Sequence, residues 1–408
     1  MKVIYIILIA VLFFSCKKEQ PIEVSMRDDV TVLASDSLQG RFTGTAYEKM
    51  AADYLSKRFK NIGLEPKGTN EYFQEFNFKN KTNPHGDVKF VNEKEDGTIT
   101  ATNVVGYINN NAENTIVIGA HFDHLGMGAE GSLYRGNEPQ IHNGADDNAS
   151  GVAVLLNIAD ELTSKNPNNN YLFIAFSGEE IGLLGSNYYV KNPTIDLKKV
   201  TYMINMDMVG RLNEERAIAV YGVGTSPVFS QTLFANNKDF KITEKESGVG
   251  PSDHTSFYLA DMPVLHFFTG QHDDYHRPGD DTDKLNYKGM EDITQYILAI
   301  ITDLNDSPKL TFAKTKNESE EVPEFKVTLG VVPDYLYDGK GMRIDGVSEE
   351  KPAKLAGMTK GDIVIKVGEF EITDMMSYMK TLSEFEKGSK TTVVILRDGE
   401  EVELEVTW

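Results

Sequence analysis

The chain has 408 residues, with 41 Lys plus Arg against 62 Asp plus Glu and a formal net charge of −21. So acidic a surface repels phosphate backbones and argues against a nucleic-acid partner. Hydrophobic residues make up 40% and charged residues 25%, which excludes a disordered or fibrous chain, and the length suits two or three domains. Its single cysteine, Cys16, excludes an internal disulfide and a cysteine-based metal site.

In chain order, Met1-Lys2 precedes an unbroken apolar run over 3–14 that ends at Ser15-Cys16 and turns polar at Lys17-Lys18-Glu19. A positive start and a short apolar core read as a secretory signal, too short for a comfortable membrane span. The layout resembles a bacterial lipoprotein signal, in which the cysteine becomes the lipidated first residue of the mature chain. That resemblance implies a signal over 1–15, a tether over 16–29 and an extracytoplasmic protein held to a membrane, periplasmic or outer, through lipid on Cys16; an ordinary cleaved signal with an incidental cysteine, and so a secreted protein, is the alternative.

From 30 to 304, short β-rich runs alternate with helical patterns. A helix is predicted over 46–59, opened by a capping box at Thr45 and Glu48. A strand follows at 116–120, then a helix at 152–162 and strands at 171–176, 202–206, 217–221 and 263–268. A last helix covers 290–304. Near-continuous apolar strands are expected where both faces are covered, so the pattern predicts an α/β, doubly wound, mostly parallel sheet. Residues 305–324 are polar and read as a linker. Residues 325–408 form a smaller, β-rich unit.

Five stretches carry chemistry: His121-Phe122-Asp123-His124; 144–151, which contains Asp146-Asp147; Ser177-Gly178-Glu179-Glu180; Asn205-Met206-Asp207; and Tyr275-His276-Arg277-Pro278. Four of them sit at strand-to-loop or loop-to-helix junctions, where an open α/β sheet binds ligands. Glu179 and Glu180 lie between apolar segments. Adjacent carboxylates there must meet water or cations, because an unpaired buried charge is expensive. Two histidines with several carboxylates suit zinc or a similar divalent metal. Asp123, two residues after His121, is placed to accept its other N–H. Asp146 is read as a helix cap. His124, His142, His254, His266 and His272 are read as flanking, supporting or core groups. The loop over 125–142 is expected to wall the substrate pocket.

These five stretches in this order, with Leu33-Ala34-Ser35-Asp36-Ser37-Leu38-Gln39-Gly40-Arg41 upstream, resemble the two-zinc aminopeptidases of the M28 metallopeptidase type over about 33–304. The resemblance implies two Zn2+ per chain. Asp147 would bridge them, His121 and Asp207 would complete one, and Glu180 and His276 the other. It implies Glu179 as the general base towards an attacking water, and Tyr275 as a donor to the developing oxyanion. The implied function is removal of N-terminal residues from peptide substrates outside the cytoplasm. Carboxypeptidase action or glutaminyl cyclisation on the same scaffold is the near alternative. A non-catalytic peptide-binding protein is the distant one.

The C-terminal unit contains Leu329-Gly330-Val331, a Pro352-Ala353-Lys354-Leu355-Ala356-Gly357 segment, Lys360-Gly361-Asp362 and an Asp398-Gly399 hairpin signal. It resembles a PDZ domain of bacterial proteases. That resemblance implies that backbone N–H groups at Leu329, Gly330 and Val331 hold a peptide C-terminus while a strand edge pairs with it.

Overall fold

The computed structural model describes residues 25–79, 89–92, 94–128, 131–315, 327–334, 337, 339–348 and 351–408. Cys16, the signal, most of the tether, 316–324 of the predicted linker and 325–326 of the predicted C-terminal unit lie outside the described residues.

Among these residues the larger unit is built on one ten-stranded sheet. Its strands are β1 (Glu65–Pro66), β2 (Phe73–Lys79), β3 (Lys89–Val91), β4 (Thr98–Ile108), β5 (Thr115–His121), β6 (Asn170–Phe176), β7 (Val200–Met206), β8 (Ala217–Tyr221), β9 (Lys241–Lys245) and β10 (Val264–Phe268). They lie in the order β3-β2-β4-β6-β5-β7-β10-β8-β9, with β1 on β4. The centre, β6-β5-β7-β10, is parallel. The sheet as a whole is mixed, which corrects the expectation of a mostly parallel one. β2, β3, β4 and β1 pair antiparallel at one flank, and β8 pairs antiparallel with β10 at the other. Antiparallel neighbours can be joined by short turns, whereas each parallel pair needs a crossover.

The central crossovers are α-helical. The helices of this unit are α1 (Met26–Leu33), α2 (Ala46–Ile62), α3 (Gly151–Leu162), α4 (Leu184–Lys191), α5 (Phe229–Asn236), α6 (His254–Tyr258) and α7 (Tyr287–Asp303). Every residue of β5, β6 and β7 is buried. Alternation along β5 divides the two faces. Ile116, Ile118 and Ala120 pack with residues of α1, α2, α3 and α7, whereas Val117 packs with Tyr189 of α4 and Phe257 of α6.

Two local expectations need correction. Thr45 Oγ accepts from Glu48 N at 3.3 Å, but the Glu48 carboxylate does not return to the cap. It accepts instead from Gly44 N (2.7 Å), Thr102 N (2.9 Å) and Ser177 Oγ (2.7 Å), binding α2 to β4 and to the end of β6. The polar stretch after α7 is not wholly a free spacer. Leu310 N donates to Thr201 Oγ at 3.0 Å, Ala313 N to Thr225 O at 2.8 Å and Thr315 N to Tyr258 OH at 3.1 Å. Residues 310–315 are therefore strapped to the larger unit.

The smaller unit holds β11 (Val331–Pro333), β12 (Met342–Val347), β13 (Ile363–Val367), β14 (Phe370–Glu371), β15 (Lys390–Arg397) and β16 (Glu400–Thr407), with α8 (Pro352–Leu355) and α9 (Met375–Leu382). Its sheet runs β11-β12-β13-β15-β16, with β14 on β13, over a separate apolar core. Leu329 is buried, and Gly330 takes a φ of 75° at the turn into β11. Their carbonyls accept from Ala353 N and Ser348 N, both at 2.8 Å. The two units meet where Lys360 Nζ reaches Asp273 and Lys245 Nζ reaches Tyr337 O, each at 3.5 Å. No helix of the described residues is long and apolar enough to cross a membrane.

Candidate metal centre

β5 leads to β6 on one side, whereas its other parallel neighbour β7 leads to β8 on the opposite side, so the chain leaves the carboxyl ends of β5 and β7 in opposite directions and opens a crevice there. His121 is the last residue of β5 and is buried. Glu179 and Glu180 follow β6 through Gly178, whose φ of 77° turns the chain sharply out of the sheet. Asp207 follows β7 directly. Asp147 lies just before α3, behind Gly144 at φ 57°; a Cβ at Gly144 would sit 2.1 Å from Asp147 O. His276 arrives on the loop after β10.

These five side chains converge. His121 Nε2 lies 3.4 Å from Asp147 Oδ1 and 3.3 Å from Asp207 Oδ1. His276 Nε2 lies 3.3 Å from both Asp147 Oδ2 and Glu180 Oε2. Ligand arms of about 2.0–2.1 Å in a tetrahedron leave edges of about 3.3–3.4 Å. The two oxygens of Asp147 thus face His121 and His276 separately, at distances that ligands sharing one metal ion would keep. Glu179 Oε2 stands 4.0 Å from His121 Nε2.

The electrostatics agree with that spacing. Burial disfavours the His121 cation, yet Asp207 and Glu179 outweigh it and push its pKa well above the usual histidine range. His276 is partly buried, which opposes its cation, but it is raised to about 11 by Glu180 and Asp147. Glu180 is held well below the carboxylate range because His276 and His124 overcome its burial. Glu179 goes the other way, raised by burial and by repulsion from Asp207, Glu180 and Asp253. The cluster is rich in negative charge and draws in positive charge, as a divalent-cation site must.

Supporting groups fix this geometry. Asp123 accepts from Thr43 Oγ at 2.8 Å and Glu179 N at 3.2 Å, with its carboxylate 3.7 Å from His121 Nδ1. Arg41, fully buried, donates to the carbonyls of Phe122 (2.6 Å), Leu33 (2.5 Å), Asn143 (2.6 Å) and Gly144 (3.1 Å). It thereby joins the His121 loop to the Asp147 loop. Asp280 accepts from the backbone N–H of Asp146 and Asp147 at 2.9 and 3.0 Å. Asp146 does not cap α3. Its carboxylate accepts from Gly210 N at 2.6 Å and lies 3.2 Å from His272 Nε2.

Sequence reasoning missed His124. Its Nδ1 sits 2.6 Å from Glu180 Oε1 and 3.9 Å from Asp147 Oδ2, so His124, Asp147 and Glu180 also form a donor group. The signal for it was the spacing from His121, three residues along a chain that curls back over the strand end. His142 instead bonds Ser132 Oγ and Gln140 O. The rings of His254 and His266 stack at 4.4 Å, both buried.

Tyr275 stacks on the His276 ring with centroids 3.8 Å apart. It lines the cavity over the cluster with Glu179, Glu180 and Asp207; Met208, Tyr221, Pro251 and Phe268 form the rest of an apolar wall. None of the described residues of 125–142 lines this cavity, which corrects the expectation for that loop. The loop grips His276 instead: Leu133 N donates to His276 O at 2.9 Å, and His276 Nδ1 lies 2.9 Å from Gly131 O.

Comparison with known proteins adds the following. Residues 103–301 match the model of peptidase family M28, and residues 314–407 match that of the PDZ domain. A probable leucine aminopeptidase of Trichophyton verrucosum is 30% identical over 227 residues, covering 51% of this chain and 57% of that protein. The chain thus spans little more than half the length of this relative. Among solved structures, a Zn-dependent exopeptidase from Parabacteroides distasonis superposes with a TM-score of 0.56 at 19% identity, covering 68% of this chain and 97% of that one. A glutaminyl cyclase from Bacteroides thetaiotaomicron superposes with a TM-score of 0.53 at 20% identity, over 70% and 99%. At such identities these two establish the fold alone.

Proposed function

Because residues 103–301 are a peptidase family M28 domain and residues 314–407 a PDZ domain, we propose that this chain is an extracytoplasmic zinc aminopeptidase. It holds two Zn2+ and removes N-terminal residues from peptides. One observation carries the reading: two donor sets with edges of 3.3–3.4 Å share the two oxygens of Asp147. Bound there, two zinc ions lower the pKa of water and polarise the scissile carbonyl.

The chain's own residues do the rest. Glu179 is neighbour to a ligand yet directed elsewhere, and it takes the proton of the attacking water at its carboxylate and delivers it to the leaving amine. Asp123 orients His121 through its backbone carbonyl, 3.3 Å from His121 Nδ1, and pins the backbone of Glu179 with its carboxylate. Tyr275 OH donates to the oxyanion. The wall of Met208, Tyr221, Pro251 and Phe268 receives an apolar first side chain. Lipid on Cys16 tethers the mature chain to a membrane, and the loop at Leu329, Gly330 and Val331 holds a peptide C-terminus.

The cyclase reading shares the fold. The full set of His121, Asp147, Glu180, Asp207 and His276, with Glu179 beside it, favours the two-metal peptidase over both a cyclase and an inactive binding protein. Elemental analysis beside turnover of aminoacyl-nitroanilides tests this: about two metals per chain and turnover are expected. Cyclisation of N-terminal glutamine without peptide cleavage would replace the reading.

A further inference from the structure

Tyr275 also lines a second cavity. That cavity lies between the two units, with Leu133, Tyr275 and Arg277 on one wall and Val347, Lys354 and Met358 on the other. Lys360 closes it, 3.0 Å from Asp345 and 3.5 Å from Asp273, so its charge is matched and it ties the smaller unit to the loop that carries His276. Val332 of β11 also lines it, but Leu329, Gly330 and Val331, the residues implied to hold a peptide C-terminus, do not.

We infer that this junction is the subsite for the leaving side of a short peptide, with Arg277 and Lys354 receiving its C-terminal carboxylate. The inference rests on the aminopeptidase reading and names its substrate class. Three observations carry it. First, Tyr275 lines both cavities, so the junction adjoins the cavity over the metal cluster. Second, the walls pair apolar surface with a cation from each unit, which suits an apolar residue followed by a carboxylate. Third, these cations gather beside an active site in a chain of net charge −21, where the general field would repel a second negative group. The smaller unit thereby measures the substrate. A peptide short enough to place its carboxylate in the junction is preferred over one whose chain continues or whose end is blocked.

The test uses the full zinc-loaded chain and peptides of three, four and five residues with N-terminal leucine, each as free acid and as C-terminal amide. For at least one length, kcat/KM for the acid should exceed that for the amide by about tenfold, the scale of a charged hydrogen bond. Lys354 is exposed, so its substitution should leave folding intact. Lys354→Glu should bring the acid-to-amide ratio to about one or below by raising KM for the acid, and Lys354→Arg should keep the preference. Acid and amide equal at every length, or a ratio that Lys354→Glu does not move, would overturn the inference. Leucyl-nitroanilide separates the two failures. If it is cleaved while the ratio stays at one, only the subsite falls. If neither it nor any peptide is cleaved, the aminopeptidase reading falls and the subsite with it.

Discussion

Arg41 shows how much of the site rests on a residue that touches none of the chemistry. Its guanidinium is out of water and spent on four carbonyls from three segments of chain. Arg41→Ala would leave those carbonyls unpartnered and a cavity between the His121 and Asp147 loops. We expect a loss of about 3–5 kcal/mol in urea unfolding, together with weaker metal retention. Stability within about 1 kcal/mol of the wild type would contradict this. The sequence showed His121, Asp147, Glu180, Asp207 and His276 because each is a ligand-type residue, the first four near strand or helix ends, and all stand in a recognisable order. It could not show Arg41, Asp280 or the packing of His124 on Glu180. Which distant carbonyls, amides and carboxylates will meet is set by the closed fold and leaves no local pattern.

At the scale of elements, Glu48 joins α2 to β4 and β6 through three accepted hydrogen bonds. Burial pushes its pKa up to about 7 from an ordinary 4.5, against the pull of those three donors. The folded state therefore binds this proton more tightly than the unfolded chain does. Its contribution to stability is complete below about 4.5 and is lost as pH rises through about 7. Glu48→Gln should flatten the dependence of Tm on pH across that window; parallel curves for the two proteins would refute it. The central strands were readable from the sequence because burial on both faces makes them apolar throughout. The antiparallel strands β1 to β4 were not, although β8 on the opposite flank was predicted at 217–221. β2, for instance, alternates buried Phe76 and Phe78 with half-exposed Asn77, a weaker signal inside a polar stretch.

On the scale of the whole molecule, the strap over 310–315 places the working end of the larger unit beyond α7. A chain ended at residue 315 should melt close to the larger unit of the full protein. One ended at 304 loses the bonds to Thr201, Thr225 and Tyr258 and should melt several degrees lower, roughly 2–4 °C per kcal/mol for a unit of this size. Equal melting temperatures would show the strap to be passive. If Cys16 carries lipid, the wild type should enter the detergent phase and Cys16→Ala should not; a wild type already soluble and unacylated would remove the anchor. The role split between two adjacent carboxylates tests the account most directly, by metal content and kcat measured together on Glu179→Gln and Glu180→Gln. Glu179→Gln should keep about two metals per chain while kcat falls about 10²–10⁴-fold, and Glu180→Gln should shed metal with activity partly restored by excess zinc. A Glu179→Gln enzyme that is nearly fully active, or that is itself the variant losing metal, would contradict it.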